Sequence, residues 1–192
     1  MKKSVLFIIL IAVIVVLGLL LDWQKLLPGL QGGQSDKDPL PTSQAESFED
    51  CVAEGNPVME SYPRQCRTVD GRLFTENVGN ELEKTNLIRL ESPRPGGVVT
   101  SPLTITGEAR GYWFFEASFP VYVVNWDGLI IGEGIATAQD EWMTEDFVPF
   151  VAEITFEKPT LYPERGALIL QKDNPSGLPE HDDALEVPIR FE

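Results

Sequence analysis

One histidine, His181, and two cysteines, Cys51 and Cys66, are the only imidazole and thiol groups in this 192-residue chain. A serine-based triad would have to use His181, which sits in the polar stretch "KDNPSGLPEHDDALE", where a lone histidine is ordinarily solvent-exposed. There is no glycine-rich phosphate loop ahead of a helix, and paired carboxylates are too common in a chain with 30 acidic residues to signal glycosidase chemistry. A non-enzymatic protein without a cofactor is expected. The cysteines are even in number and spaced too far apart for C-x-x-C redox or zinc chemistry, so they are expected to pair as a structural disulfide. Closing a loop of that length stabilises by about 3 kcal/mol on the chain-entropy model. With the Asp-Gly turn of "VDGRLF" just after Cys66, the segment reads as a small stapled hairpin. Oxygen donors gather at Asp173, Asn174, Glu180, Asp182 and Asp183; such a set can hold calcium, but its spacing is not that of an EF-hand loop, and a solvated turn is the expectation.

Binding chemistry is better represented, in the aromatic stretch "WFFEASFPVYVVNWDG" that begins at Trp113. Trp113, Phe115, Ala117, Phe119, Val121 and Val123 share one parity and are all apolar, as the inward face of a strand would be. Pro120 cannot donate to a ladder and implies an edge or a bulge. "NWDG" fits a turn with Gly128 left-handed, pairing Asn125 with Leu129 and setting Val123 opposite Ile131. That leaves Trp126 on the turn tip. Trp126, with Tyr112, Tyr122 and Trp142, forms the candidate contact surface.

The elements that would position these groups are strands. "LIRLE", "GVVT", "LTITGEA", "FEASFPVYVVN", "LIIGEGIAT", "VPFVAEITF", "GALILQK" and "LEVPIRF" are separated by turn signals, and nothing after Asn86 has an amphipathic helical period. Val148, Phe150, Ala152, Ile154 and Phe156 alternate with polar residues, and so do Leu185, Val187, Ile189 and Phe191. An all-β, immunoglobulin-like sandwich of seven or eight strands over residues 86–192 is predicted. Ahead of it lie a disulfide-containing segment at 47–80 and a Gly/Pro/Ser-rich flexible linker at 24–46. Residues 1–23 hold an apolar run of roughly 17 residues, about 26 Å as a helix against about 30 Å of hydrocarbon. Lys2 and Lys3 precede the run and Asp22 follows it, which predicts an uncleaved single-pass anchor with a cytoplasmic N-terminus. All 30 acidic residues lie beyond that run and the whole chain carries a formal charge of −15, which disfavours nucleic acid and anionic headgroups as partners.

Two stretches carry a family resemblance. "GEARGYWFFEASFPVYVVNWDGLIIGEGIATAQDEWMTEDFVPFVAEITF" and "GALILQKDNPSGLPEHDDALEVPIRF" resemble the Gmad-type immunoglobulin-like domain of bacterial envelope and spore-germination-associated proteins, over residues 87–192. The resemblance implies a β-sandwich outside the membrane, a role in binding, and no catalytic residues. The expectation is a membrane-anchored extracytoplasmic binding or scaffolding module for envelope proteins. Its alternatives are recognition of glycan or peptidoglycan by the exposed aromatics, and a spacer or protease-inhibitor-like role of the cysteine hairpin.

Overall fold

A computed structural model of the chain describes residues 42–192. The anchor expected at 1–23, and the linker up to residue 41, lie outside the described residues. Among the described residues no helix is long and apolar enough to cross a membrane.

The first element, helix α1 (Phe48–Ala53), starts where Ser47 accepts a hydrogen bond from the Asp50 backbone N–H (3.0 Å) while the Asp50 carboxylate accepts one from Glu46 N–H (3.2 Å). This arrangement is a variant of the capping box, with aspartate in place of the usual glutamate and its carboxylate reaching the N–H one residue before the cap. Strands β1 (Val58–Met59), β2 (Gln65–Arg67) and β3 (Leu73–Thr75) follow as a small antiparallel sheet. The Asp-Gly turn joins β2 to β3, with Gly71 at φ +90° and its N–H on Thr68 O (2.9 Å).

The disulfide forms, Cys51 to Cys66 at 2.00 Å, and ties α1 to the central strand β2. The expected hairpin is therefore corrected to a helix clamped across a three-stranded sheet. Its core is only Ala45, Phe48 and the two cysteines, with Phe74 partly buried beside them. Ala45 belongs to a segment whose composition reads as linker. It is fixed because the Arg72 guanidinium donates to Ser43 O (2.6 Å) and Ala45 O (2.9 Å), and Ser43 Oγ donates to Glu54 (2.6 Å).

A four-residue helix, α2 (Glu81–Lys84), leads into eight strands: β4 (Ile88–Ser92), β5 (Val98–Val99), β6 (Leu103–Arg110), β7 (Ser118–Asn125), β8 (Ile130–Ala138), β9 (Phe147–Ile154), β10 (Gly166–Gln171) and β11 (Ala184–Phe191). They form one continuous ladder in the order β4-β6-β9-β8-β7-β10-β11-β5. The ladder folds into a sandwich because β8, paired with β7 for most of its length, ends against β9 at Thr137–Val151 and Ala138–Phe150. One layer is thus β4-β6-β9, the other β8-β7-β10-β11-β5. The apolar parity of β9 and of β11 is buried, and Phe150 of one layer meets Phe119 of the other edge to face, with ring centroids 5.0 Å apart.

The outer edge of β11 would expose unpaired backbone groups. Short β5 covers its end in parallel register, and Asn80 covers its beginning. Asn80 N–H donates to Glu186 O (3.1 Å), its Oδ1 accepts from Glu186 N–H (2.8 Å), and its Nδ2 donates to Ala184 O (2.9 Å). The chain comes so close here that a Cβ on Gly79 would lie 1.9 Å from Glu186 O.

The aromatic run departs from the expected strand. Gly111–Trp113 is a 3-10 turn, and Glu116 and Ala117 (φ 50° and 61°) form a tight reversal closed by Phe115 and Ser118 exchanging hydrogen bonds of 3.0 and 3.1 Å. Trp113 is still fully buried, but Phe115 is exposed, and the inward parity of the strand begins at Phe119.

Candidate functional site

The turn after β7 forms as its sequence dictates. Asn125 N–H donates to Leu129 O (3.0 Å), Gly128 N–H to Asn125 O (3.1 Å), and Asn125 Oδ1 accepts from Leu129 N–H (2.9 Å). Gly128 takes φ +82°, a conformation that suits glycine. One detail differs: Val123 pairs with Gly132 rather than Ile131, because a bulge leaves Ile131 unpaired between Val124–Ile130 and Val123–Gly132. The turn projects Trp126, which is 46% exposed.

Trp126 does not stand alone. Its ring meets Tyr162 at 5.0 Å and 66°, and the Arg165 guanidinium lies over the Tyr162 ring at 5.8 Å. Tyr162 and Arg165 belong to the turn before β10, closed by Arg165 N–H on Tyr162 O (2.9 Å). Trp126, backed by Tyr162, stands at one side of an open cleft of about 940 Å³ that Arg165 also lines. The floor is made by Val124, Ala167, Pro188 and Ile189 on the five-stranded layer; the facing wall is the start of α1, with Glu46, Ser47, Glu49 and Asp50. Its volume is at the upper end of the range typical of ligand sites, about 300–1,000 Å³.

Charge within the cleft is one-sided. Glu46, Glu49, Asp50, Glu164 and Glu186 line it against Arg165 and Arg190. Arg190 is already engaged with Gly96 O (2.8 Å), and Asp50 is held below the usual aspartate range by its hydrogen bond with Ser47 and by the Glu46 N–H. Ser47 is occupied as the helix cap. What the cleft presents is ring surface and carboxylate oxygen.

The remaining aromatic candidates lie elsewhere. Tyr112 is exposed on the 3-10 turn at the opposite end of β7, eight residues or about 26 Å of strand from Trp126. Trp142 is half-buried against the sandwich core, and its carbonyl accepts from Thr144 N–H (2.8 Å). Tyr122 is half-buried in mid-strand, in register with Ile169 on β10 and Glu133 on β8. The four rings therefore do not form one surface; Trp126 alone lines the cleft. Sequence reading does not single out Tyr162, Arg165 or the α1 carboxylates, whose only common property is a place in the folded chain.

Asn174, Asp182 and Asp183, of the oxygen donors of the last loop, are engaged with protein. Asn174 Nδ2 donates to Asp182 (2.7 Å) and Leu178 O (2.9 Å), while Asp183 accepts from Lys84 Nζ (2.5 Å) and Ala184 N–H (2.9 Å). Asp173 is fastened through its backbone N–H to Trp113 O (3.1 Å). Among the described residues no group of three or more His, Cys, Asp or Glu is placed to hold a metal ion. Glu180 and His181 lie on an exposed 3-10 turn.

In the small unit, Glu76 is buried and paired with Arg64, whose Nε donates at 2.9 Å. Hydrogen bonding from Arg64 holds the Glu76 carboxyl below its usual range, as the Thr68 hydroxyl does for Asp70 and Ser43 for Glu54. Burial, with the hydrogen bond to Glu81, pushes the Tyr62 hydroxyl up and ties this unit to α2.

Residues 87–177 match the Gmad2 family, the immunoglobulin-like domain of bacterial spore germination. The match bears out the resemblance over β4 to β10; β11 lies beyond it and completes the ladder all the same. Neither a curated protein nor a solved structure matches the chain.

Proposed function

We propose, with the Gmad2 match over residues 87–177 as premise, that this chain is a non-enzymatic binding or scaffolding module of the bacterial cell envelope. Residues 1–23 anchor it as a single span with the N-terminus in the cytoplasm. The disulfide unit and the sandwich stand on the outer side, where the cleft beside Trp126 receives a protein partner. The observation that carries this reading is the Cys51–Cys66 bond, buried at the centre of a unit with almost no other core. Disulfides persist in oxidising compartments and are rare in the cytosol, and a unit this small depends on one.

The test uses intact cells producing the full chain, with a membrane-impermeant maleimide added outside and a photoreactive residue in place of Glu49, an exposed residue of the cleft wall. Labelling of both cysteines only after external reduction, together with a light-dependent adduct to an envelope protein, is the expected result. Labelling that requires cell lysis contradicts the topology; the absence of any adduct from the cleft or from a second probe at Tyr112 contradicts the binding role.

A further inference from the structure

We infer that the cleft beside Trp126 takes an extended, basic polypeptide segment; this rests on the binding role proposed above and names the chemistry of the partner. Concavity comes first: the space lies between two separate parts of the fold, the start of α1 on one side and Trp126 with Arg165 on the other, so a chain lying in it meets both walls. The rings come second. Arg165 already sits over Tyr162, so the pair holds a guanidinium of this protein and presents Trp126, nearly half exposed, to another cation.

Charge comes third, and it selects the occupant. Glu46 and Glu49 stand on the α1 wall, Glu164 on the ring side and Glu186 on the floor strand, all four exposed. They are spread across the cleft rather than converging, and no metal-holding group is found among the described residues. Several cations carried along a chain satisfy that spread; one small ion does not. A neutral glycan gains nothing from the excess of carboxylates, and an anionic one is repelled.

The experiment measures binding of a fluorescein-labelled decapeptide of alternating lysine and glycine to the full chain, purified in an uncharged detergent. An alternating glutamate–glycine decapeptide and labelled chitohexaose are run beside it. Saturable binding of the basic peptide is expected, weakened about tenfold by Trp126→Ala and by the pair Glu164→Gln and Glu186→Gln. It is also expected to weaken by about tenfold or more when salt is raised from about 0.05 to 0.5 M, as screening shortens the reach of these charges. Both variants change exposed side chains, and an unchanged melting temperature verifies that the fold is kept. Absence of basic-peptide binding, equal binding of the acidic peptide, indifference to both variants, or a preference for chitohexaose overturns the inference. Those results leave the envelope role standing if the cellular adduct at the cleft persists, whereas loss of every adduct removes the role itself.

Discussion

Replacing both cysteines, Cys51→Ser with Cys66→Ser, separates the small unit from the sandwich in stability. The bond closes a loop with a sequence separation of 15, which on chain-entropy grounds is worth about 3 kcal/mol. At about 1.4 kcal/mol per decade, that raises the opening equilibrium of the unit by roughly 150-fold. Little resists the opening, because the unit's buried apolar side chains are Ala45, Phe48 and the cysteines themselves. Amide hydrogen exchange resolves the effect by segment. The reporters are Cys51 N–H on Ser47 O (3.1 Å) and Glu54 N–H on Asp50 O (2.9 Å) in α1, with the β2–β3 ladder beside them. Protection there falls by about two decades, while β6, β7, β9 and β10 keep theirs. Loss of less than about fivefold in α1 refutes the assignment of its stability to the disulfide. Equal loss in both regions refutes the division into two cooperative units.

Three further outcomes follow from the geometry. Asn80→Ala removes two side-chain hydrogen bonds, to Ala184 O and from Glu186 N–H, and lowers stability by about 1–3 kcal/mol in urea titration; Asn80→Asp keeps only the acceptor and falls between. Ala117→Gly relieves a left-handed alanine at φ 61° and, after glycine's own entropic cost, stabilises by about 0.5–1 kcal/mol, seen as a rise in melting temperature. Acidification opens the small unit before the sandwich. The Glu76 carboxyl, held down by Arg64, titrates below its usual 4.5 in the folded chain, so its contribution is complete above that pH and is lost as pH falls through the lowered value. Glu54 and Asp70 act in the same direction, and Glu76→Gln flattens the pH dependence of exchange in the unit.

Residue order alone makes the sandwich legible wherever one face is wet. The alternations in β9 and β11 succeed because period two with polar partners admits only one pleated arrangement, and both sets are buried. The same rule misleads over Trp113–Val123. Apolar parity runs through the segment unbroken, yet the Glu116–Ala117 reversal interrupts it, and no glycine, asparagine or aspartate marks that turn. Helix α1 hides for a different reason. Six residues are too few to show a helical period, and its real signature is the cap in "SFED", where Ser47 accepts from Asp50 N–H and the Asp50 carboxylate accepts from Glu46 N–H.

The cleft is the feature that no local pattern could reveal, because its walls come from separate parts of the chain. Trp126 is set by a turn whose sequence is self-sufficient, but its neighbours Tyr162 and Arg165 come from the turn before β10, and the acidic wall comes from a helix outside the matched domain. What seats that wall is Asn80, which fixes the connection between the two parts onto the edge of β11, and Tyr62, which reaches from the small unit to Glu81. The sandwich therefore supplies the rings, the floor and the carboxylates of Glu164 and Glu186, while the appended disulfide unit supplies those of Glu46, Glu49 and Asp50. Specificity is expected to follow the appended unit's carboxylates: reversing Glu46 and Glu49 to lysine changes which peptide the cleft prefers without altering the melting of the sandwich. Retained preference for the basic peptide in that variant assigns selection to Glu164 and Glu186, on the sandwich itself.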